Sequence, residues 1–398
     1  MIPISKAIRI IERESSAIAS ERIDLSDAIG RVLAENIIAD SDLPPFDRSQ
    51  MDGYAVRADD TKKTPATLRI AGESAAGRGW HKTLKKGEAV RIMTGAPVPK
   101  GADAVQKIEL TSEKNGSVTI FEPTEKGRFI VRKGAEIRKG RTVLKKGEVL
   151  TPPTMAVPAA FGYAKVKVAK RPRVAIFSTG SEIVDISKTP KKDQIRNSNS
   201  LMLAALCRAA GAEPELFPTT GDDISDLKSQ ISKSIKRADI LITTGGVSVG
   251  KYDLTKLALQ ELGAKIFFDK VALKPGKPTV FGKLKNTFVF GLPGNPVSAA
   301  VTFHLFVRLL IGRLQGRANP CLKDGTAVAG AQAKGTKARD SYLPASLSTD
   351  ANGCLIATPL RWLGSSDFVG FATADALVFV PAGETIEKGE TATVAFLF

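Results

Sequence analysis

Thr243-Thr244-Gly245-Gly246-Val247-Ser248-Val249-Gly250-Lys251-Tyr252-Asp253 follows an apolar run, Ile240-Leu241-Ile242, and leads into a segment patterned as a helix. A strand that feeds a glycine-rich turn and then a helix is the unit from which doubly wound α/β sheets are built. The composition of the turn also states a chemistry. Glycine N–H groups at a helix start favour anions, here Gly245 and Gly246 with the Ser248 hydroxyl beside them, and a carboxylate offers hard oxygen to a cation. Gly245-x4-Gly250-Lys251 imitates a P-loop, but Tyr252 stands where the Ser or Thr that holds magnesium is required. A nucleoside-triphosphate reading fails at that position, and Asp253 becomes the nearest group able to hold a cation.

The α/β style extends outward from this turn. Val174-Ala175-Ile176-Phe177 reads as a buried parallel strand, and 240–242, 265–268 and 287–290 as further strands. A helix over 200–210 meets Gly211 in the C-cap position, and the last helix runs over 297–314. Before this region the signals change. Ile4, Ile8 and Ile11 have helical spacing with Ser5 as a cap, and a second short helix starts near Ser26. From the break at Leu43-Pro44-Pro45-Phe46-Asp47 to about Lys139 the elements are short and strand-like, at 67–70, 89–93, 118–121 and 129–131, each bounded by Gly, Pro or Asp. A helix opening at Thr151-Pro152-Pro153 stops near Gly162, and 165–169 alternates as a strand. After Asn319-Pro320 short alternating strands return, as over 391–397. The expected organisation is a multi-domain α/β plus β chain. A mixed N-terminal domain takes 1–42 and 141–170, with a β-rich domain inserted at 43–140. A central doubly wound α/β domain takes 171–318, and a small C-terminal β-barrel takes 319–398.

Composition excludes several classes. The longest apolar stretch, 301–310, is broken by His304 and Arg308, which argues against a membrane span. The N-terminus carries charges and no signal-peptide core, so a cytoplasmic location is expected. Cys207, Cys321 and Cys354 form no paired spacing, which leaves no zinc ribbon or disulfide framework. His81 and His304 are the only histidines, and His304 sits in a helical apolar pattern. Carboxylates, lysines and backbone amides must therefore carry the chemistry. The net charge of +17 attracts anions, and nine basic against two acidic residues over 125–147 supply much of the excess. With only 6% aromatic residues and no basic-aromatic interleaving, nucleic acid is a weak candidate.

Four loops fall at expected strand ends of the α/β domain: Ser178-Thr179-Gly180-Ser181-Glu182, the 243–253 turn, Lys274-Pro275-Gly276-Lys277-Pro278, and Gly291-Leu292-Pro293-Gly294-Asn295-Pro296. Any one of them could be only a turn. Four on one edge of one sheet define a binding site by the switch-point rule. Lys274 and Lys277 bring positive charge, and Glu182 and Asp253 bring the oxygen ligands that magnesium accepts beside substrate phosphates. Two further segments, 47–56 and 91–99, read locally as a polar turn and a strand ending in a proline turn.

Taken in order, these segments resemble the molybdopterin molybdenumtransferases, the MoeA and gephyrin E-domain family. The matching pieces are Pro44-Pro45-Phe46-Asp47 with Met51-Asp52-Gly53-Tyr54-Ala55-Val56, then 91–97, Gly101-Ala102-Asp103-Ala104-Val105, Arg171-Pro172-Arg173-Val174-Ala175 and Ile195-Arg196-Asn197-Ser198-Asn199-Ser200. They continue through 245–250 with Asp253 and end at the Lys-Pro-Gly-Lys-Pro and Leu-Pro-Gly-Asn-Pro loops. The resemblance implies an enzyme that takes adenylylated molybdopterin and molybdate, inserts the metal and releases AMP with Mg2+. Tungstate insertion or a non-catalytic scaffold on the same fold are the alternatives. It implies a homodimer with a cleft shared between subunits, and transient contacts with the molybdopterin adenylyltransferase and apo-molybdoenzymes.

By the same resemblance Asp52 and Thr94 face the cleft, and Asp52, Glu182 and Asp253 are catalytic. Glu182 and Asp253 serve the metal or molybdate. Ser178, Gly245, Gly246, Ser248, Lys274, Lys277, Pro293 and Pro296 bind substrate, as does Glu136, and Ser365 is the C-terminal domain's contribution. The chain departs from the family pattern at three places. Ser181 replaces an Asp in Gly-Asp-Glu, Glu136 stands where Asp is common, and Arg48 stands where Asn is common.

Overall fold

The computed structural model describes residues 1–221, 223–245, 254–361 and 363–397. Gly246, Ser248 and Asp253 lie outside the described residues. The chain divides into two compact units, one of Met1–Ala34, Lys146–Thr151 and Val166–Phe398, the other of Glu35–Lys145 and Pro152–Lys165.

A six-stranded sheet organises the larger unit. Its main elements are β1 (Arg173–Ser178), α1 (Ser198–Ala209), β2 (Glu213–Leu216), α2 (Ile224–Ser234), β3 (Ile240–Thr244), α3 (Leu254–Glu261), β4 (Lys265–Phe268), β5 (Val280–Leu284), β6 (Thr287–Leu292) and α4 (Pro296–Leu314). The strand order is β2-β1-β3-β6-β5-β4. β2, β1, β3 and β6 are parallel, whereas β5 runs antiparallel to both its neighbours. The inner strands β1, β3 and β6 are buried almost throughout because helices cover both faces, whereas the edge strand β2 is mostly exposed. Val174 and Ile176 join Ile240, Ile242, Phe288 and Phe290 in a core with residues of α1 and α4. Ala175, Phe177, Leu241 and Val289 turn the other way, into a core with residues of α2 and α3. The period of two along a strand produces the split.

The helix signals have local causes. Asn197 and Asp223 cap α1 and α2 by accepting from backbone N–H groups. Gly211, at φ +88°, closes α1 as its position implies. α4 contains a π turn at Phe303–Val307 between two α segments. It is long and apolar enough to cross a membrane, but 83% of its apolar window is buried in the protein, as for a core helix.

The first helix, Ile4–Glu14, adds Ile4, Ala7 and Ile11 to the α4-side core. Pro3 is its N-cap, so Ser5 lies inside the first turn. The short helix expected near Ser26 is a single 3-10 turn at Leu25–Asp27, too short to bury a face. At the other end of the unit, Asp324–Ala329, Asp340–Thr349, Leu355–Pro359, Ala376–Val380 and Thr391–Phe396 close into a five-stranded barrel. Its interior is rich in alanine (Ala327, Ala345, Ala357, Ala376, Ala392), which suits the narrow bore of a small barrel.

One expectation about the sheet is corrected. Lys274-Pro275-Gly276-Lys277-Pro278 is not a βα loop. It leads from the short strand Leu273–Lys274, paired with the barrel strand Asp340–Thr349, into the antiparallel β5. An antiparallel strand presents its amino end where parallel neighbours present their carboxyl ends. Val280 at the start of β5 therefore lies opposite Gly291 of β6, and the loop still reaches the expected edge.

The smaller unit holds a mixed six-stranded sheet, in the order Ala104–Lys107, Gly53–Val56, Glu88–Ile92, Ala66–Ser74, Ser117–Ile120, Thr111–Lys114. The pair Ile130–Val131 and Arg48–Ser49 lies outside that sheet.

The tightest part of the α4-side core is aromatic. Phe281 lies 4.8 Å from Phe290 and 5.5 Å from Phe268, which is 6.3 Å from Phe306. Phe281→Ala is expected to cost about 3–5 kcal/mol in urea unfolding of the larger unit. Phe121→Ala, at an exposed side chain, should stay within about 0.5 kcal/mol.

Candidate active site

One amide ties the carboxyl end of β3 to the loop that follows β6. The Asn199 side chain, on the first turn of α1, donates from Nδ2 to Thr244 Oγ1 (2.9 Å) and to the Gly294 carbonyl (2.7 Å). Thr244 Oγ1 in turn donates a hydrogen bond to the Pro293 carbonyl (3.0 Å). Backbone bonds add to this, from Thr179 N to Thr244 O and from Gly245 N to Leu292 O. Asn197 accepts from Ser178 Oγ (2.9 Å) and from Ser200 N (3.1 Å), so the β1 loop and the α1 cap share one side chain. The packing leaves no room for a Cβ at Gly245: it would lie 2.3 Å from the Thr179 carbonyl oxygen, and φ is +90°.

A cavity of about 720 Å³ opens over this edge. Ser178, Thr179, Glu182, Asn197, Asn199, Gly245, Asn295 and Pro296 are among its lining residues, with Arg196 and Ser366. Thr179 Oγ1 and Asn199 Oδ1 are buried there without hydrogen-bond partners among the described residues. A second cavity of about 430 Å³ is lined by Lys274, Lys277, Pro293, Asn295, Arg339 and Ser365, with no acidic residue in its wall among the described residues. Asn295 lines both, and its Nδ2 donates to Ser365 Oγ (2.7 Å), tying the β6 loop to the barrel's Ser365 segment. Three cations around one cavity, next to backbone turns, are built for an anionic group.

The sequence-derived residues of the larger unit thus fall into two groups. Ser178, Glu182, Gly245 and Pro296 meet at the first cavity, and Lys274, Lys277, Pro293 and Ser365 at the second. Gly246, Ser248 and Asp253 are outside the described residues. No group of three or more His, Cys, Asp or Glu side chains is placed to hold a metal among the described residues. The hard-oxygen groups present are the Glu182 carboxylate and the unpartnered Thr179 hydroxyl, a donor set that magnesium accepts when phosphate oxygens complete it.

Asp52, Thr94 and Glu136 belong to the smaller unit. Asp52 Oδ1 accepts from Thr94 N (2.6 Å) and Thr94 Oγ1 (2.8 Å). Glu136 forms an ion pair with Arg48 (3.2 Å), so two of the three departures from the family pattern are partners.

Sequence reasoning did not single out Asn197, Asn199, Asn295, Arg196 or Arg339 as site residues. Asn197-Ser198-Asn199-Ser200 carried the one usable signal, an N-cap signature before a helix. Arg339 comes from the barrel, 62 to 65 positions from the lysines it joins, and no local pattern links them.

Residues 2–162 match the MoeA N-terminal region (domain I and II), 175–313 a probable molybdopterin binding domain, and 326–397 the MoeA C-terminal region (domain IV). A *Bacillus subtilis* (strain 168) molybdopterin molybdenumtransferase is 36% identical over 405 residues, covering 100% of this chain and 94% of that protein. One from *Staphylococcus aureus* (strain COL) is 39% identical over 319 residues, 79% of this chain and 76% of that protein. The crystal structure of the molybdopterin biosynthesis moeA protein from *Pyrococcus horikoshii* OT3 superposes with a TM-score of 0.86 at 29% identity, covering all of both chains. Fold and site thus define a transferase with a molybdopterin-binding α/β domain. The chain belongs to the molybdopterin molybdenumtransferases, the MoeA family, and it is an enzyme of molybdenum cofactor biosynthesis.

The two Thr94 bonds, the backbone one first, hold the Asp52 carboxyl below the usual carboxylate range. A carboxylate with a lowered folded pKa contributes stability at neutral pH that is lost as pH falls through that pKa. In a carboxyl-carbon NMR titration, Thr94→Val should raise the Asp52 pKa but leave it below the ordinary value, since the backbone bond survives. An unchanged pKa would remove the hydroxyl from this account.

Proposed function

We propose that the substrate is adenylylated molybdopterin, that molybdate is inserted into its dithiolene with release of AMP, and that the step is Mg2+-dependent. The observation that carries this reading is the pair of joined cavities at the carboxyl edge. One presents a carboxylate and polar amides, the other three cations and no acid. A conjugate with a phosphoanhydride at its middle needs both: cations for the phosphates, and a separate oxygen-rich wall where the oxyanion reacts.

Glu182, together with Asp253, would hold Mg2+, which when bound neutralises phosphate charge as the anhydride is cleaved. Lys274, Lys277 and Arg339 bind and orient the phosphates. Asn199 and Asn197 fix the loops that carry the polar wall, and the Gly245 backbone can approach the ligand because it has no side chain. Gly246 and Ser248, outside the described residues, are assigned to substrate binding by the resemblance alone.

We further propose a cytoplasmic homodimer in which Asp52 and Thr94 of one subunit, with Glu136, complete the partner's site. The shared cleft of the resembled family supports this, as does the pre-set ionised state of Asp52. Molybdopterin adenylyltransferase and apo-molybdoenzymes are the proposed transient partners, as donor and acceptor of the pterin.

The test is AMP release from adenylylated molybdopterin with Mg2+ and molybdate, with tungstate as a parallel arm. Glu182→Ala should retain pterin binding and lose about 100-fold or more in AMP release, and Asp253→Ala should do the same. Mixing Asp52→Ala with Glu182→Ala subunits should restore part of the activity, because one cleft of each mixed dimer is intact. Oxyanion-independent AMP release by the wild type would overturn the reaction, and failure of complementation in verified mixed dimers would overturn the shared cleft.

A further inference from the structure

Beside the main cavity lies a smaller chamber of about 310 Å³ that the reaction described above does not use. Ser198, Asn199, Pro296 and Phe368 line both spaces, so the two adjoin. The remaining walls are apolar: Met202 and Leu206, one turn apart on α1, face Phe371 and Ala372 of the 368–372 segment, with Leu397 of the last barrel strand's end. Among the described residues no Asp, Glu, Lys or Arg lines it.

Two polar atoms in these walls have no partner. Asn199 is 8% exposed, and its Oδ1 makes no hydrogen bond among the described residues, while both Nδ2 protons are committed to Thr244 and Gly294. The amide therefore cannot flip without losing the loop clasp, and its acceptor stays fixed. His304 is 5% exposed with Nδ1 unpartnered. It sits in the π turn of α4, a local widening that recurs at functional sites. Burial, with Arg308 nearby, pushes its pKa down to about 4, so the ring is neutral at physiological pH.

These features select the occupant. A phosphate finds no cation here and meets a carbonyl oxygen. An aliphatic chain leaves both polar atoms unpaired. A flat heterocycle with N–H donors fills the apolar walls and satisfies the amide oxygen. The volume is near the lower bound of ligand pockets, about 300 Å³, so it takes one ring system and not a whole conjugate.

We propose that this chamber receives a nitrogen heterocycle of the substrate, pterin or adenine, with Asn199 Oδ1 accepting a ring or exocyclic N–H and His304 Nδ1 meeting a second polar edge atom. The inference rests on the adenylylated-molybdopterin reading. It makes His304, which the sequence places in a structural pattern, a ligand-binding residue.

Binding of 6-hydroxymethylpterin, by its fluorescence, and of adenosine, by calorimetry, tests it on the full chain. Leu206→Trp and Ala372→Phe fill the chamber from opposite walls, the second at an exposed position that a larger side chain should not unfold. Both variants should weaken one of the two ligands at least about tenfold, and His304→Leu should weaken the same one. The ligand affected names the ring. Competition by pyrophosphate, which the cation-lined cavity would bind, should not change. Wild-type affinity for both rings in folded chamber variants would overturn the inference and leave the proposed reaction standing. Wild-type failure to bind either ring would overturn both.

Discussion

The site depends on the clasp made by Asn199. Loops at the end of a sheet expose carbonyls and N–H groups that must be satisfied, and an unpaired buried one costs about 1–3 kcal/mol. A single amide on α1 serves the β3 and β6 loops at once, and Thr244 extends the bond to Pro293. Gly245 is crowded from another side, where a Cβ would meet the Thr179 carbonyl oxygen of the β1 loop. The clasp also fixes Asn199 in a wall that the two adjoining cavities share.

Around this clasp the electrostatic character changes over a short distance. The Lys274, Lys277 and Arg339 cavity is purely cationic, the Glu182 cavity is mixed, and the chamber at His304 is neutral. Charges of like sign are tolerated in the first because solvent reaches it and an anion is its complement. The larger excess of positive charge over 125–147 is a separate matter. Part of it is answered within the smaller unit, where Arg132 pairs with Asp47 and Lys133 with Asp42.

In the smaller unit, Asp52 accepts two bonds from one threonine and stays ionised without a cationic partner. Arg48 and Glu136 have a different logic. Each differs from the residue common at its place in the resembled family, and each is the other's ion-pair partner. A longer acid and a guanidinium that reaches it form a local substitution of one polar pair for another, a relation visible only once the 48–49 and 130–131 strands are paired.

Sequence alone determined the α/β domain, the barrel and the loops that converge, because period-two apolar runs and glycine turns are local signals. Ser178, Glu182, Lys274, Lys277 and Pro296 were legible for the same reason. The tertiary structure decided what no local signal encodes. It placed the Lys274–Pro278 loop on an antiparallel strand, since strand direction depends on the whole connection. It brought Arg339 and Ser365 from the C-terminal region to the lysines, and it made Asn199, on the first turn of α1, the clasp of the site. Side-chain periodicity is written along the chain, but which loops meet is set by how the sheet closes its core.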